Sequence, residues 1–270
     1  MRVSLAPIAL RAYRGDPGQS GFKEGIRSLL WRVRQIGFDG IEMGTPPTFT
    51  NAEYKDCLDA LGLEAVTAGS LSSEALAAGD FADTLTQCKV LGAKNVMIPC
   101  LPAAALGNPY ELDSFIGQLN RAGRALMDAG VHLSYHNHAV DFSRVNDKTI
   151  LERIVEETDP ACVFIEPDTH WIQAGGGHVI SWLKRLRGRV YIVHFKDYGI
   201  DPYSDHAFLE GTHKLFMEFG EGNLNWPGIL KECLAQNIAW CSLEQDECQR
   251  PPYEAAALGL KNLRDTLQLL

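Results

Sequence analysis

Eight times along the chain a short apolar run is followed by a stretch whose apolar residues recur at helical spacing. The runs cover residues 3–10, 38–44, 63–68, 95–99, 131–138, 162–168, 190–195 and 238–244, and the helical stretches cover 22–36, 50–61, 81–91, 108–129, 149–157, 179–186, 226–236 and 253–269. Gly37, Gly62, Gly92 and Gly130 stop four of the helices, and Asn108 with Pro109 supplies a cap and a first-turn proline. Alternation of this kind demands parallel strands joined by right-handed helical crossovers. For 270 residues the simplest closed solution is a single (β/α)8 TIM barrel spanning 1–270. A doubly wound open sheet would want a glycine-rich phosphate turn after its first strand, and residues 12–18 contain no G-x-G-x-x-G. The one long connection, 198–224, follows the seventh strand and falls on the carboxyl-terminal face of a barrel, where long loops cover active sites.

The later strands share a second pattern. Each ends in acids or imidazoles: His136 and His138 on the fifth, Glu166 and Asp168 on the sixth, His194 and Lys196 on the seventh, Glu244 and Asp246 on the eighth. Strands of a parallel barrel are expected to be apolar until their carboxyl ends, because unpaired buried charge is costly. Residues two apart leave the same face of a strand, so all these pairs can point inward together. His136, Asp168, His194 and Glu244 then converge at the barrel mouth as a mixed nitrogen and oxygen set. Such a set suits Mn²⁺, Co²⁺, Fe²⁺ or Zn²⁺, and the ligand types alone do not choose among them. For an isolated His-x-His, a strand end with two solvated histidines is the ordinary alternative; three further strand ends of the same kind argue against it here.

Acids outnumber bases by 34 to 25, a formal charge of −9, so no net field draws the protein to nucleic acid or anionic lipid. The seven cysteines contain no C-x-x-C pair and read as reduced core thiols. The first apolar run is broken by Pro7 and ended by Arg11, too short to span a membrane. The expected location is the cytoplasm.

Tyr135-His136-Asn137-His138, Glu166-Pro167-Asp168-Thr169-His170-Trp171, Val193-His194-Phe195-Lys196-Asp197, the segment Gly220-Glu221-Gly222-Asn223-Leu224-Asn225-Trp226, and Leu243-Glu244-Gln245-Asp246 resemble, in order and spacing, the sugar phosphate isomerase/epimerase family. This is the xylose isomerase-like barrel superfamily, which also contains AP endonucleases, ketose 3-epimerases, hydroxypyruvate isomerases and inosose dehydratases and isomerases. Phe38-Asp39-Gly40-Ile41-Glu42 matches its second-strand signature. The resemblance runs over nearly the whole chain. It implies a divalent metal ion, manganese first, with cobalt, zinc, iron or magnesium as alternatives, held by Asp168, His194, Glu244 and His136. Epimerases carry a glutamate at the fifth-strand place; here it is His136, as in a branch with the same Tyr-His-Asn-His. Many members place a histidine three residues after the sixth-strand aspartate. This chain has Trp171 there and His170 one place earlier, which puts His170 forward as a substrate contact.

The implied activity is isomerisation or epimerisation of a ketose or keto-polyol, by proton transfer through a metal-bound enediolate. Glu244 plays one acid/base part, and the other falls to His136, or to His138 or Asp141 after a small rearrangement. The alternative is a dehydratase or lyase of a keto-inositol or 3-keto sugar. Lys196 and Glu221 are candidates for contacting substrate hydroxyls or the leaving group; a Lys196–Asp197 surface pair and a solvated loop acid are the plainer readings. Glu42 either lines the pocket or binds a helix-end donor, and Glu166 lies one layer deeper, where it needs a partner. Trp171 and Trp226 are core or a sugar-stacking wall. His132, His178, His206 and His213 read as surface histidines. The expected partners are a small carbohydrate and a second copy of the chain. The acidic balance disfavours the AP endonuclease reading.

Overall fold

The computed structural model describes residues 1–201 and 214–270, so His206 and His213 lie outside the described residues, as does the middle of the 198–224 connection. Eight parallel strands form the ring: β1 (Arg2–Ala6), β2 (Gly40–Ile41), β3 (Glu64–Ala65), β4 (Asn95–Ile98), β5 (His132–His136), β6 (Val163–Glu166), β7 (Ile192–Phe195) and β8 (Trp240–Glu244). One run of paired strands has the order β3-β2-β1-β8-β7 and the other β4-β5-β6. Two parallel bridges join the runs, Ser70 with Met97 and Asp168 with His194. The amides complete the joins: Met97 N–H donates to Gly69 O at 3.1 Å, and His194 N–H to Pro167 O at 2.9 Å. The ring is therefore closed, as the strand and helix alternation requires.

Eight helices pack outside it: α1 (Phe22–Ile36), α2 (Asn51–Leu61), α3 (Ala82–Leu91), α4 (Pro109–Asp128), α5 (Ile150–Glu157), α6 (Val179–Arg185), α7 (Trp226–Ala235) and α8 (Pro252–Gln268). In α1 the buried residues are Phe22, Ile26, Leu29, Leu30 and Val33, a stripe at helical spacing in which each side chain contributes ~1.5–3 kcal/mol by burial. Thr50 and Thr149 open α2 and α5 with capping boxes, and Asn108 caps α4 just before Pro109.

The ring departs from the expected pattern in two ways. Strands β2 and β3 are only two residues long, although the flanking amides keep the register, with Asp39 N–H donating to Val3 O and Glu42 N–H to Leu5 O, each at 2.9 Å. The interior is also not apolar up to the strand ends. Ser134 Oγ donates to Asn95 Oδ1 at 2.6 Å, and Asn95 Nδ2 donates to Glu166 Oε2 at 3.2 Å, all buried. The apolar side chains of the same strands, such as Leu133, Tyr135, Ile165, Val193 and Phe195, form the layer between ring and helices. A polar interior is tolerated because its members satisfy one another. His132 is also not a surface histidine: its ring stacks on Phe164, with centroids 4.3 Å apart.

Short elements lie between strands and helices. Among the described residues they include the helical turns Arg11–Arg14, Ser73–Ala78 and Thr169–Ala174, a hairpin pairing Asp197–Ile200 with Lys214–Met217, and a smaller one pairing Arg144–Val145 with Lys148–Thr149. No helix among the described residues is long and apolar enough to cross a membrane.

Candidate metal centre

The end of β5 places His136 at the mouth, and the next residue clips two strand ends together: Asn137 Oδ1 accepts the Asp168 backbone N–H at 3.0 Å. Asp168 then caps the Thr169–Ala174 turn, its Oδ1 accepting Trp171 N–H at 2.9 Å. That bond fixes the carboxylate and leaves Oδ2, buried and without a hydrogen bond, facing the mouth. His194 stands beside Asp168 through the β6–β7 bridge, and Glu244 ends β8. One atom from each of His136, Asp168, His194 and Glu244 lies within 4.8 Å of the others. His194 Nδ1 is 2.8 Å from Glu244 Oε2, while His136 Nε2 is 3.9 Å from Asp168 Oδ2, too far for a hydrogen bond.

The donor set fits a divalent ion. Burial, with the charge of His194 added, keeps His136 well below the usual histidine range and so neutral, the form that ligates. Burial alone would raise Glu244, but the charges of His194 and Lys196 overturn it and hold the carboxyl well below its usual range. Asp168 is raised by burial, against the pull of Lys196. Its Oδ2, which makes no hydrogen bond and has the Lys196 ammonium at 3.3 Å, and the two-nitrogen, two-oxygen composition match the chemistry of Mn²⁺, Co²⁺, Fe²⁺ or Zn²⁺.

Beneath this cluster lies a second one. His194 Nε2 is 2.9 Å from Glu166 Oε1 and 3.0 Å from Glu42 Oε2, all three side chains being buried. Burial would lower the His194 pKa, yet the charges of Glu42 and Glu244 hold it well above the usual range, so an ion at Nδ1 would displace a proton there. Glu42, although buried, is lowered by the same contact, whereas Glu166 is raised by burial and then by the charge of Glu42. Glu42 and Glu166 orient the His194 ring, the arrangement by which an outer carboxylate fixes a metal-ligating histidine.

Lys196 is almost fully buried, 1% exposed, and does not pair with Asp197 at the surface. Its Nζ is 2.9 Å from Glu244 Oε2, 3.3 Å from Asp168 Oδ2 and 3.0 Å from Asp246 Oδ2. Asp197 instead clamps the following loop, with its Oδ2 accepting Gly220 N–H at 2.9 Å, Gly222 N–H at 3.1 Å and Trp226 Nε1–H at 2.6 Å. A Cβ on Gly222 would lie 2.4 Å from Asp197 Oδ1, so the loop closes on this carboxylate only with glycine there. Trp226 belongs to the core around Phe195 and Phe219.

His138 is half-buried, its ring 4.9 Å from that of His136, and its Nδ1 has no hydrogen bond. Trp171 completes this wall, with its ring 5.3 Å from His138 and the Lys196 Nζ 5.2 Å from its centroid. Three expected site residues are turned to other partners. Asp141 Oδ2 accepts Tyr135 Oη–H at 2.9 Å and His138 N–H at 2.8 Å, bracing the chain after β5. His170 Nδ1 bonds Asp197 O at 2.9 Å and its ring stacks on Phe216. Glu221 is exposed and lies 3.4 Å from Asn262 Nδ2 and 3.6 Å from Arg250. Asn137 and Asn95 were not singled out from the sequence; an amide inside an apolar strand or between two histidines was the available signal.

A family model described as xylose isomerase-like TIM barrel matches residues 30–266. The chain belongs to that family. An inosose dehydratase of Mesomycoplasma hyopneumoniae strain 7448 is 29% identical to this barrel over 297 residues, spanning 99% of this chain and 96% of that protein. A sugar phosphate isomerase/epimerase from Parabacteroides distasonis superposes with a TM-score of 0.73 at 22% identity, covering 99% of this chain and 93% of that one. A probable 3-DHS dehydratase from Bacillus anthracis superposes with a TM-score of 0.72 at 15% identity, over 98% and 99% of the two chains. These relatives of the xylose isomerase-like barrel carry enzyme names, and this chain is an enzyme of the same family.

Proposed function

We propose that this protein is a divalent-metal-dependent dehydratase of a hydroxylated ketone, with keto-inositols and 3-keto sugars as the substrate class. The observation that carries the reading is the 2.9 Å contact between Lys196 Nζ and Glu244 Oε2 inside the mouth. Loss of water from a β-hydroxyketone needs a base for the hydrogen beside the carbonyl and a donor for the hydroxyl on the next carbon. Glu244, held as carboxylate, takes the proton. Lys196 hydrogen-bonds the departing hydroxyl and protonates it, giving water and a carbon–carbon double bond, and it regains a proton from Glu244 across the same contact. His136, Asp168, His194 and Glu244 would hold the ion, manganese first. The chemistry such an ion supplies is Lewis-acid stabilisation of negative charge on the keto oxygen. Trp171 and His138 give one wall against which the substrate ring packs and water is excluded. The inosose dehydratase names among full-length relatives support the same reading.

Isomerisation or epimerisation that begins with the same proton abstraction is the second reading, and one observation favours it. His138, with an unbonded Nδ1 beside His136, offers another acid/base group in the mouth. A relay of two glutamates is not available, because His136 takes the place of one of them.

The test incubates the protein and Mn²⁺ with keto-inositols, 3-keto sugars and ketoses in deuterated water. Ultraviolet absorbance of an enone, lost on chelation, is the expected result. Deuterium beside the carbonyl without loss of water selects the isomerase reading. Unchanged ketones across the panel refute both.

A further inference from the structure

The metal cluster occupies only the β5–β8 side of the barrel mouth. Over β1–β4 lies a separate cavity of about 310 Å³, lined among others by Arg11, Arg14, Glu42, Gly44, Ser70 and Met97, within the size range of a small-molecule site. Glu42 connects the two halves, since it also contacts His194. We propose that this cavity holds an anionic group, carboxylate or phosphate, carried by the substrate on the end away from the reacting carbons; the inference rests on the keto-polyol reading above and narrows it.

Three features of the cavity lead to an anion. Arg11 and Arg14 sit three residues apart on one helical turn and both line the cavity. Among the described residues neither has an acidic partner, whereas the neighbouring bases are engaged, Lys23 with Glu53, Arg27 with Glu24 and Arg32 over the Tyr253 ring. In a chain of formal charge −9, whose mouth already holds Glu42, Asp168, Glu244 and Asp246, two guanidinium groups without acidic partners that line one cavity make its rim locally basic and open to an anionic ligand. Guanidinium is also the side chain suited to bidentate contact with carboxylate or phosphate.

The floor suits the hydroxylated part of the same molecule. Glu42 Oε1 is buried without a hydrogen bond and can accept from a hydroxyl. The chain there is open backbone: a Cβ on Gly44 would lie 2.5 Å from Ala68 O, so only glycine lets these two segments cross. No residue of the Arg11–Arg14 turn is buried, so its side chains can be changed without disturbing the core.

Titration calorimetry of the Mn²⁺-loaded protein with D-glucitol, D-gluconate and D-glucitol 6-phosphate tests the assignment. At least one of the two anions is expected to bind about tenfold or more tightly than glucitol, and which one does so separates carboxylate from phosphate. The Arg11→Ala/Arg14→Ala double variant is expected to lose that preference, and the Arg11→Lys/Arg14→Lys variant to keep part of it. Equal binding of all three polyols, binding of none, or a preference that survives in the double alanine variant overturns the proposal. Dehydration of a neutral keto-inositol without any anion preference removes this inference and leaves the lyase reading standing. Anion preference with no ketone dehydrated does the reverse.

Discussion

His194 and Glu166 meet at 2.9 Å in the middle of the barrel, Nε2 against Oε1, so the imidazole that faces the candidate metal position with one nitrogen is held from below with the other. Glu42 shares that lower contact at 3.0 Å. Ring orientation is thus set by two acids that do not join the upper cluster.

Replacing either acid by its amide tests the support. Glu42→Gln and Glu166→Gln are each expected to weaken Mn²⁺ binding by about 10–100-fold while circular dichroism stays that of the parent, the usual cost of losing an outer partner of a metal-bound histidine. Unchanged affinity in both variants would mean that the acids only fill the interior.

Lys196 is expected to matter for chemistry more than for the ion. Lys196→Met should lower dehydration by about 10²–10⁴-fold, with Mn²⁺ affinity kept within about tenfold. A variant that turns over normally would remove Lys196 from the reaction.

Asp141 makes stability depend on pH. Burial raises its pKa from 3.8 to about 6, against the hydrogen bonds from the His138 amide and Tyr135. The folded state therefore binds the proton more tightly than the unfolded chain. Its stabilising contribution is fully present below about pH 4 and is lost as pH rises through about 6. Relative to Asp141→Asn, the wild type should lose up to ~3 kcal/mol across that window and no more above it. Thermal melts of both proteins at intervals from pH 4 to 8 read this directly; a wild type that gains on the variant, or keeps pace with it, as pH rises contradicts it.

Asp197 is a stability residue. It accepts Trp226 Nε1–H at 2.6 Å and the amides of Gly220 and Gly222 from a buried position. Asp197→Ala should cost ~3 kcal/mol or more, since hydrogen bonds to a charged group contribute ~1.5–3 kcal/mol each. Denaturant unfolding measures it, and a loss under about 1 kcal/mol would show that water replaces the carboxylate.

The barrel was legible because its helices carry a 3.6-residue apolar repeat, half of them stopped by glycine, and its strands are short apolar runs between them, and both apolar patterns arise from burial. The convergence of His136, Asp168, His194 and Glu244 followed from parity along four strands. What parity does not encode is the partner of an inward side chain across the ring. Glu166 needed a base, and only closure of the barrel shows that it shares His194 with Glu42. The side chains of His170, Glu221 and Asp141 also depended on the closed structure, because loop residues take their direction from the backbone that receives them. The Arg11–Arg14 turn is too short to leave a periodic signature, yet it lines the second cavity.

Titration of the metal-free protein with Mn²⁺, alongside Asp168→Ala and Glu244→Ala, tests the centre most directly. The account predicts one ion per wild-type chain and no measurable binding in either variant, with both variants keeping the parent circular dichroism spectrum. Equal Mn²⁺ binding by wild type and variants, or none by the wild type, would contradict it.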